Sequence, residues 1–153
     1  MSQEYPEPER PVASLDAADL KRRLEEGEQV HLLDVRNRGE IDEWRIEGAD
    51  RTDIPYMKFV AAEATDGVAD LVDGIEGPVV AVCARGEASA YVAGLLQRAG
   101  IEAVNLADGM EGWATLYEST VVNDTPLVVQ YRRPSSGCLA YLVVSDGEAA
   151  VVD

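Results

Sequence analysis

The sequence predicts an α/β fold: a domain with a central, mostly parallel sheet, followed by a short C-terminal β-hairpin extension. Three observations carry this expectation. Short apolar runs, Val30–Val35 and Pro78–Cys83 among them, alternate with segments whose apolar residues recur at helical spacing, the pattern of βαβ units. Glycine, proline or acidic clusters punctuate these runs. After Pro126 the helical spacing stops, and two apolar runs flank an Asp146-Gly147 pair, a strong two-residue hairpin signal.

The elements follow in order. Residues 1–11 are rich in proline and glutamate and read as a loose, flexible tail. Residues 12–117 read as the domain. Asp16 is placed to cap a helix over 17–26, with Leu20 and Leu24 on one face and Gly27 suited to its end. Val30–Val35 reads as a strand, Glu40–Arg45 as a short helix and Asp50–Ile54 as a second strand, closed by Pro55. Residues 57–73 read as a weak helix interrupted at Gly67. The Cys83 strand leads to a helix from Ser89 to about Arg98, which Gly100 ends. Glu102–Leu106 reads as another strand, and a last helix holds Trp113 and Leu116. Residues 118–126 read as a linker, and 127–153 as a strand pair and its return.

The 153 residues suffice for one domain with a sizeable core plus an extension, and a 46% hydrophobic content excludes a disordered chain. The formal net charge of −16 argues against nucleic acid or an anionic membrane as a partner. Lys21 and Lys58 are the only lysines among 13 basic residues. Acid-rich, lysine-poor composition resembles that of salt-accumulating halophiles, where screening relieves self-repulsion; an ordinary acidic protein is the alternative. Cys83 and Cys138 fit neither a disulfide framework nor a zinc spacing. No apolar leader or transmembrane-length run is present, so a reducing cytoplasm is the expected setting. No P-loop or dinucleotide fingerprint and no metal-ligand spacing occurs, and no cofactor or metal is expected.

Cys83 is the most informative residue. It closes the apolar run and opens a polar loop, Ala84-Arg85-Gly86-Glu87-Ala88, ahead of a helix that begins near Ser89. Loop N–H groups and the positive end of a helix dipole favour an anion there, and the same field favours a thiolate. The plain alternative is a buried core cysteine. In parallel sheets ligands bind at the carboxyl ends of strands, and the Asp34-Val35-Arg36 segment lies at such an end too. Asp34 and Arg36 are suited to a charge-assisted pair bracing the neighbouring loop, and Glu40 to starting or bracing a helix. Arg85 reads equally as an attractor for an anionic donor, offset by Glu87, and as a solvated loop charge. Ser89 reads as a cap or brace, Trp113 as core, and Cys138 as structural within an apolar strand. His31, the only histidine, lies inside a strand and gives no support to a Cys–His hydrolase.

These residues resemble a known family. Asp34-Val35-Arg36, Glu40, Ile46, Gly48-Ala49 and Ile54-Pro55 are similar to the first motif of the rhodanese (sulfurtransferase) domain. Cys83 to Ser89 resembles its active loop, C-x-x-G-x-x-S, and Asp108-Gly109 with Trp113 its closing GG-x-x-x-W segment. Arg45 stands where the family usually has His, Asp108 replaces the first of two glycines, and Ala88 occupies a position that is often Arg or Ser. The resemblance implies a three-layer rhodanese-like domain. It also implies a Cys83 persulfide that carries sulfane sulfur from a small sulfur-containing anion or a persulfide to a thiol or cyanide acceptor. Ala84, Arg85, Gly86, Glu87, Ala88 and Ser89 form the implied substrate loop, because backbone N–H groups fixed before the reaction suit a terminal sulfur anion. The alternative is a sulfur-carrier or regulatory module with little turnover. A cysteine phosphatase or arsenate reductase needs C-x5-R, and Ser89 occupies that arginine position.

Residues 127–153 resemble the first strands of a metallo-β-lactamase-fold domain, through Tyr131–Leu142 and Asp146–Asp153. The chain ends before that family's H-x-H-x-D-H motif. The expectation is a rhodanese part plus the opening strands of a hydrolase-type partner domain, cut short.

Overall fold

The computed structural model describes residues 4–153, and the chain divides into two compact units, residues 1–112 and 113–153. In chain order the elements are β1 (Ser14–Leu15), α1 (Ala17–Glu25), β2 (His31–Asp34), α2 (Arg38–Glu43), β3 (Asp50–Asp53), α3 (Tyr56–Glu63) and α4 (Val68–Leu71). They continue with β4 (Val79–Val82), α5 (Glu87–Arg98), β5 (Ala103–Leu106), α6 (Gly109–Ala114), β6 (Glu118–Asp124), β7 (Leu127–Arg132), β8 (Leu139–Ser145) and β9 (Glu148–Val152).

The first unit is the parallel sheet that the alternation of apolar runs predicts, with strand order β1-β5-β4-β2-β3 and every pairing parallel. The order reverses between β2 and β4. From β2 the chain crosses outward to β3 through α2, and from β4 it crosses the other way to β5 through α5. Right-handed crossovers then place α1 and α2 on one face and α3, α4 and α5 on the other. Leu33, Val79 and Ala81 turn toward the second face and join Phe59, Val92, Ala93 and Leu96 in its core. Phe59, Leu33 and Leu96 are fully buried. Cys83 continues the same alternation one step past β4, so its side chain falls on the α5 face as well. A strand-order reversal leaves a crevice at the carboxyl ends of the two diverging strands, and both Cys83 and Arg36 lie just beyond those ends.

Local chemistry explains the boundaries. Asp16 caps α1 by accepting from Asp19 N–H at 2.7 Å. Asn37 and Glu40 form a capping box at α2. The weak helix expected over 57–73 is two helices, broken where Thr65 Oγ1 donates to Ala62 O and Asp66 takes φ 54°. The short edge strand β1 escapes sequence reading, because two residues are too few to show a period; it is held by pairing Ser14 with Asn105 and Leu15 with Leu106. The last helix ends at Ala114, short of Leu116.

Met1–Gln3, part of the expected tail, lie outside the described residues. The remainder, Glu4–Pro11, has no helix or strand, yet Tyr5 packs edge-on against Tyr56 with ring centroids 5.1 Å apart. Glu9 pairs with Arg98 at 3.2 Å. Burial raises the Tyr5 hydroxyl pKa above the ordinary tyrosine value, and negative charge at Cys83, Glu40 and Glu87 adds to the rise.

The second unit is a four-stranded antiparallel sheet, β6-β7-β8-β9. Residues 118–124, expected as linker, form its first strand and pair with β7 from Glu118↔Arg132 to Asp124↔Leu127. The polar run Asn123-Asp124 and the adjacent Pro126 mask the β-branched Thr120-Val121-Val122 core of that strand. Asp146 (φ 51°) and Gly147 (φ 80°) supply the two left-handed residues of the expected hairpin turn between β8 and β9. Cys138 precedes β8 and is exposed, which corrects its reading as a structural residue inside the strand. Arg133 stacks over the Tyr117 ring, 4.7 Å from its centroid. Among the described residues no helix is long and apolar enough to cross a membrane.

Candidate active site

Cys83 is 6% exposed at the end of β4, and its Sγ has two hydrogen-bond partners. Gly86 N–H donates at 3.1 Å, and the Ser89 hydroxyl lies at 3.1 Å. Of the residues that the sequence groups as a substrate loop, Gly86 and Ser89 reach the sulfur. Gly86 takes φ 94°, and a Cβ there would meet Asp108 N at 3.1 Å and Leu106 O at 3.2 Å. It is thus glycine for two reasons, backbone conformation and space. The left-handed turn at Gly86 aims its own N–H back at the thiol and starts α5 one residue later, at Glu87. Helix geometry leaves the N–H groups of Glu87, Ala88 and Ser89 without intrahelical acceptors, on the side of the helix that carries positive partial charge.

The loop is held from beneath by the start of α6. Met110 N–H donates to Cys83 O at 2.9 Å, and Glu111 N–H donates to Ala84 O at 3.0 Å. These bonds engage the Cys83 and Ala84 carbonyls on the α6 side, while Gly86 N–H faces the sulfur. Gly109 makes the approach possible: a Cβ on it would stand 2.3 Å from Cys83 O and 2.8 Å from Arg85 N.

The other sequence-derived residues fall in three places. Ala84 is half-buried, and Ala88 is 4% exposed within the core cluster, so its methyl faces the interior. Arg85 and Glu87 are exposed, and Arg85 Nε pairs with Glu111 at 3.0 Å. Asp34 and Arg36 are both buried, and Arg36 grips the carboxylate through Nη2 at 2.7 Å and Nε at 3.0 Å. Its other donors reach Trp44 O at 2.9 Å and Glu40 O at 3.4 Å, so the guanidinium ties the end of β2 to the carboxyl end of α2. Glu40 accepts from Asn37 N–H at 3.2 Å. His31 sits at the opposite end of β2 and bonds Thr52 Oγ1 at 2.8 Å, away from Cys83. Arg45 and Arg51 pair with Glu47 and Asp53, each at 2.8 Å. Trp113 is buried.

Two residues at the site have no counterpart in the sequence reading. Asn105 on β5 is 6% exposed, and its Oδ1 lies 2.6 Å from the Ser89 hydroxyl. A lone carboxamide in the apolar run Ala103-Val104-Asn105-Leu106 was the available signal, since a buried polar side chain demands a partner. Tyr5 brings the N-terminal segment to the rim, beside an open groove whose lining also includes Gly86, Glu87 and Ala90. No local pattern around Tyr5 marks it. Among the described residues no cluster of three or more His, Cys, Asp or Glu is arranged to hold a metal ion.

Residues 16–116 match the family model of the rhodanese-like domain. A rhodanese-like domain protein from Staphylococcus aureus is 31% identical over 67% of this chain and 91% of its own, with a TM-score of 0.53. A protein from Staphylococcus saprophyticus is 25% identical, covering 65% and 91% of the two chains with a TM-score of 0.53. A thiosulfate sulfurtransferase from Pseudomonas aeruginosa is 25% identical over 67% of this chain, which spans 18% of that protein, with a TM-score of 0.50. No curated protein matches the chain in sequence.

Proposed function

The chain belongs to the rhodanese-like domain family, and on that premise we propose that it transfers sulfane sulfur through a persulfide on Cys83. The observation that carries this reading is the sulfur's own setting. Gly86 N–H and the Ser89 hydroxyl converge on Sγ, each at 3.1 Å, where a parallel strand gives way to a helix start. In the first half-reaction the Cys83 thiolate attacks the outer sulfur of a donor R–S–S⁻. The S–S bond breaks, RS⁻ leaves with the electron pair, and Cys83–S–S⁻ forms. Thiosulfate would release sulfite in the same step. In the second half-reaction a thiolate or cyanide attacks the outer sulfur, leaves as a persulfide or thiocyanate, and returns the Cys83 thiolate. The amides of α5 and Gly86 are fixed before either step, so they stabilise the terminal anion with no reorganisation.

A second reading has its own support. Arg85, the one cation of the loop, is paired with Glu111, and Glu87 and Glu40 add negative charge at the rim. Such a rim disfavours a small dianion and suits a carrier loaded by a partner's persulfide. In either reading we assign residues 118–153 no chemistry of their own. The resemblance of residues 127–153 to metallo-β-lactamase-fold strands supports such a domain as the partner.

The test is mass spectrometry of the protein after exposure to thiosulfate or to an alkyl persulfide, then thiocyanate formation on adding cyanide. It is run in molar potassium chloride to screen the net charge of −16. One added sulfur on Cys83 with turnover supports the transferase, and one added sulfur without turnover supports the carrier. No adduct with either donor, in a folded protein, overturns both.

A further inference from the structure

The Ser89 hydroxyl holds one hydrogen and faces two acceptors, Cys83 Sγ at 3.1 Å and Asn105 Oδ1 at 2.6 Å. It cannot donate to both at once. When Cys83 is a thiol the inventory closes in one direction: S–H donates to Ser89 Oγ, and Ser89 O–H donates to Asn105 Oδ1. When Cys83 carries negative charge the hydroxyl must turn to the sulfur, and Oδ1 then loses its donor. A carboxamide can answer by turning over, so that Nδ2–H donates to Ser89 Oγ while Ser89 O–H donates to the sulfur. The amide's NH2 group already lies beside Gly86, with Nδ2 3.5 Å from where a Cβ on that glycine would be.

We propose that Asn105 is a positioning residue: a reversible hydrogen-bond partner that lets the single Ser89 proton serve Cys83 in both its neutral and its anionic states. The proposal rests on Cys83 being the reacting group. Ser89 is fully buried and Asn105 nearly so, which leaves the hydroxyl to the protein's own donors and acceptors. The support is rigid. Asn105 lies opposite Ala81 of β4 on one side and Ser14 of β1 on the other, and its N–H donates to Ala13 O at 2.9 Å. Carboxamide chemistry is specific to this task, because an ionised carboxylate only accepts and an aliphatic group does neither. The titratable or charged groups around this rim include Tyr5 on the N-terminal segment, the buried Asp34–Arg36 pair at the end of β2, Glu40 on α2, Glu87 on α5, Asp108 before α6, and the Arg85–Glu111 pair between the loop and α6. Each stays in place when position 105 alone is changed.

The experiment is the pH profile of Cys83 alkylation by iodoacetamide, with 240 nm thiolate absorbance, in a Cys138→Ser background. It needs no sulfur donor, so it reads the proposal even where sulfur transfer fails. Asn105→Asp, acceptor-only, should raise the alkylation midpoint by about one pH unit, about a tenfold loss of thiolate below it, the scale of one charge-assisted hydrogen bond. In a Ser89→Ala background that shift should shrink to a small fraction, because the coupling runs through the hydroxyl. Asn105→Leu removes the donor that the anionic state uses, the stronger charge-assisted arrangement, and should also raise the midpoint, by less than Asn105→Asp and again only when Ser89 is present. This arm stands alone where Asn105→Asp does not fold. An Asp shift equally large without the Ser89 hydroxyl would mean simple charge repulsion and overturn the proposal. So would a downward shift in Asn105→Leu, which would make the carboxamide a mere competitor for the Ser89 proton.

Discussion

Gly109 sits so close to Cys83 that a methyl group on it would stand 2.3 Å from the Cys83 carbonyl oxygen. The contact joins the start of α6 to the end of β4, and two backbone hydrogen bonds, from Met110 and Glu111, seal it. Gly109 also holds φ 52°, in the left-handed region. Its replacement by alanine therefore meets two penalties, backbone strain and overpacking, together about 2–4 kcal/mol. Gly109→Ala should lower the urea midpoint accordingly and cut sulfur loading of Cys83 at least about tenfold, since the loop amides lose their aim. Loading and stability both close to wild type would show that the loop does not depend on this support.

The Asp34–Arg36 pair predicts a stability effect distinct from any effect on chemistry. Both side chains are buried and the guanidinium is bidentate on the carboxylate. Asp34→Asn keeps the volume but leaves the guanidinium charge buried against carbonyl oxygens alone. Breaking such a pair costs about 3–5 kcal/mol. Chemical denaturation should show a loss of that size, with sulfur loading of the remaining folded protein largely kept. A loss below about 1 kcal/mol would place the pair with ordinary surface bridges.

The α3–α5 contact carries a pH signature. The Tyr91 hydroxyl donates to Glu63, whose carboxylate also accepts from Arg98 at 2.6 Å. The hydrogen bond to Glu63, with desolvation behind it, raises Tyr91 from 10.0 to about 12. A pKa raised by folding gives stability that is complete below the unfolded value and lost as pH climbs through the folded one. The contribution is therefore whole up to pH 10.0 and gone near about 12. Glu63 runs the other way: hydrogen bonds from Tyr91, then Arg98, hold it below 4.5, so its contribution is present above that value and fades as pH falls further. Urea unfolding between about pH 9 and about pH 12 should show a steeper decline in wild type than in Tyr91→Phe. Parallel declines in the two proteins would remove the hydrogen bond as the cause.

Much of the first unit is legible in the sequence, because its signals are local. Val79-Val80-Ala81-Val82 is apolar throughout, as a strand buried on both faces must be, and Asp16 marks a helix start by chemistry that reaches only three residues, whereas α5 begins at Glu87, two residues before the expected Ser89. Cys83 could be placed at a strand's carboxyl end from that pattern alone. The edge strand β6 was not legible: its residues are exposed beyond Glu118 and carry little hydrophobic period, and pairing with β7 makes it a strand.

The sequence by itself determined a parallel α/β domain with a thiol at the strand-to-helix turn, since apolar period is a property of consecutive residues, and its motifs carried the resemblance to the rhodanese-like family. Only the tertiary structure decided what that thiol touches. Ser89 meets Asn105 because β4 and β5 pair with Ala81 opposite Asn105, and Gly109 meets Cys83 because α6 begins beside that same strand end. Arg36 spends its charge on Asp34 and on the end of α2, and Tyr5 reaches the rim from an N-terminal segment without helix or strand. Each of these partners is set by register and crossover geometry, which bring together groups that no local pattern connects.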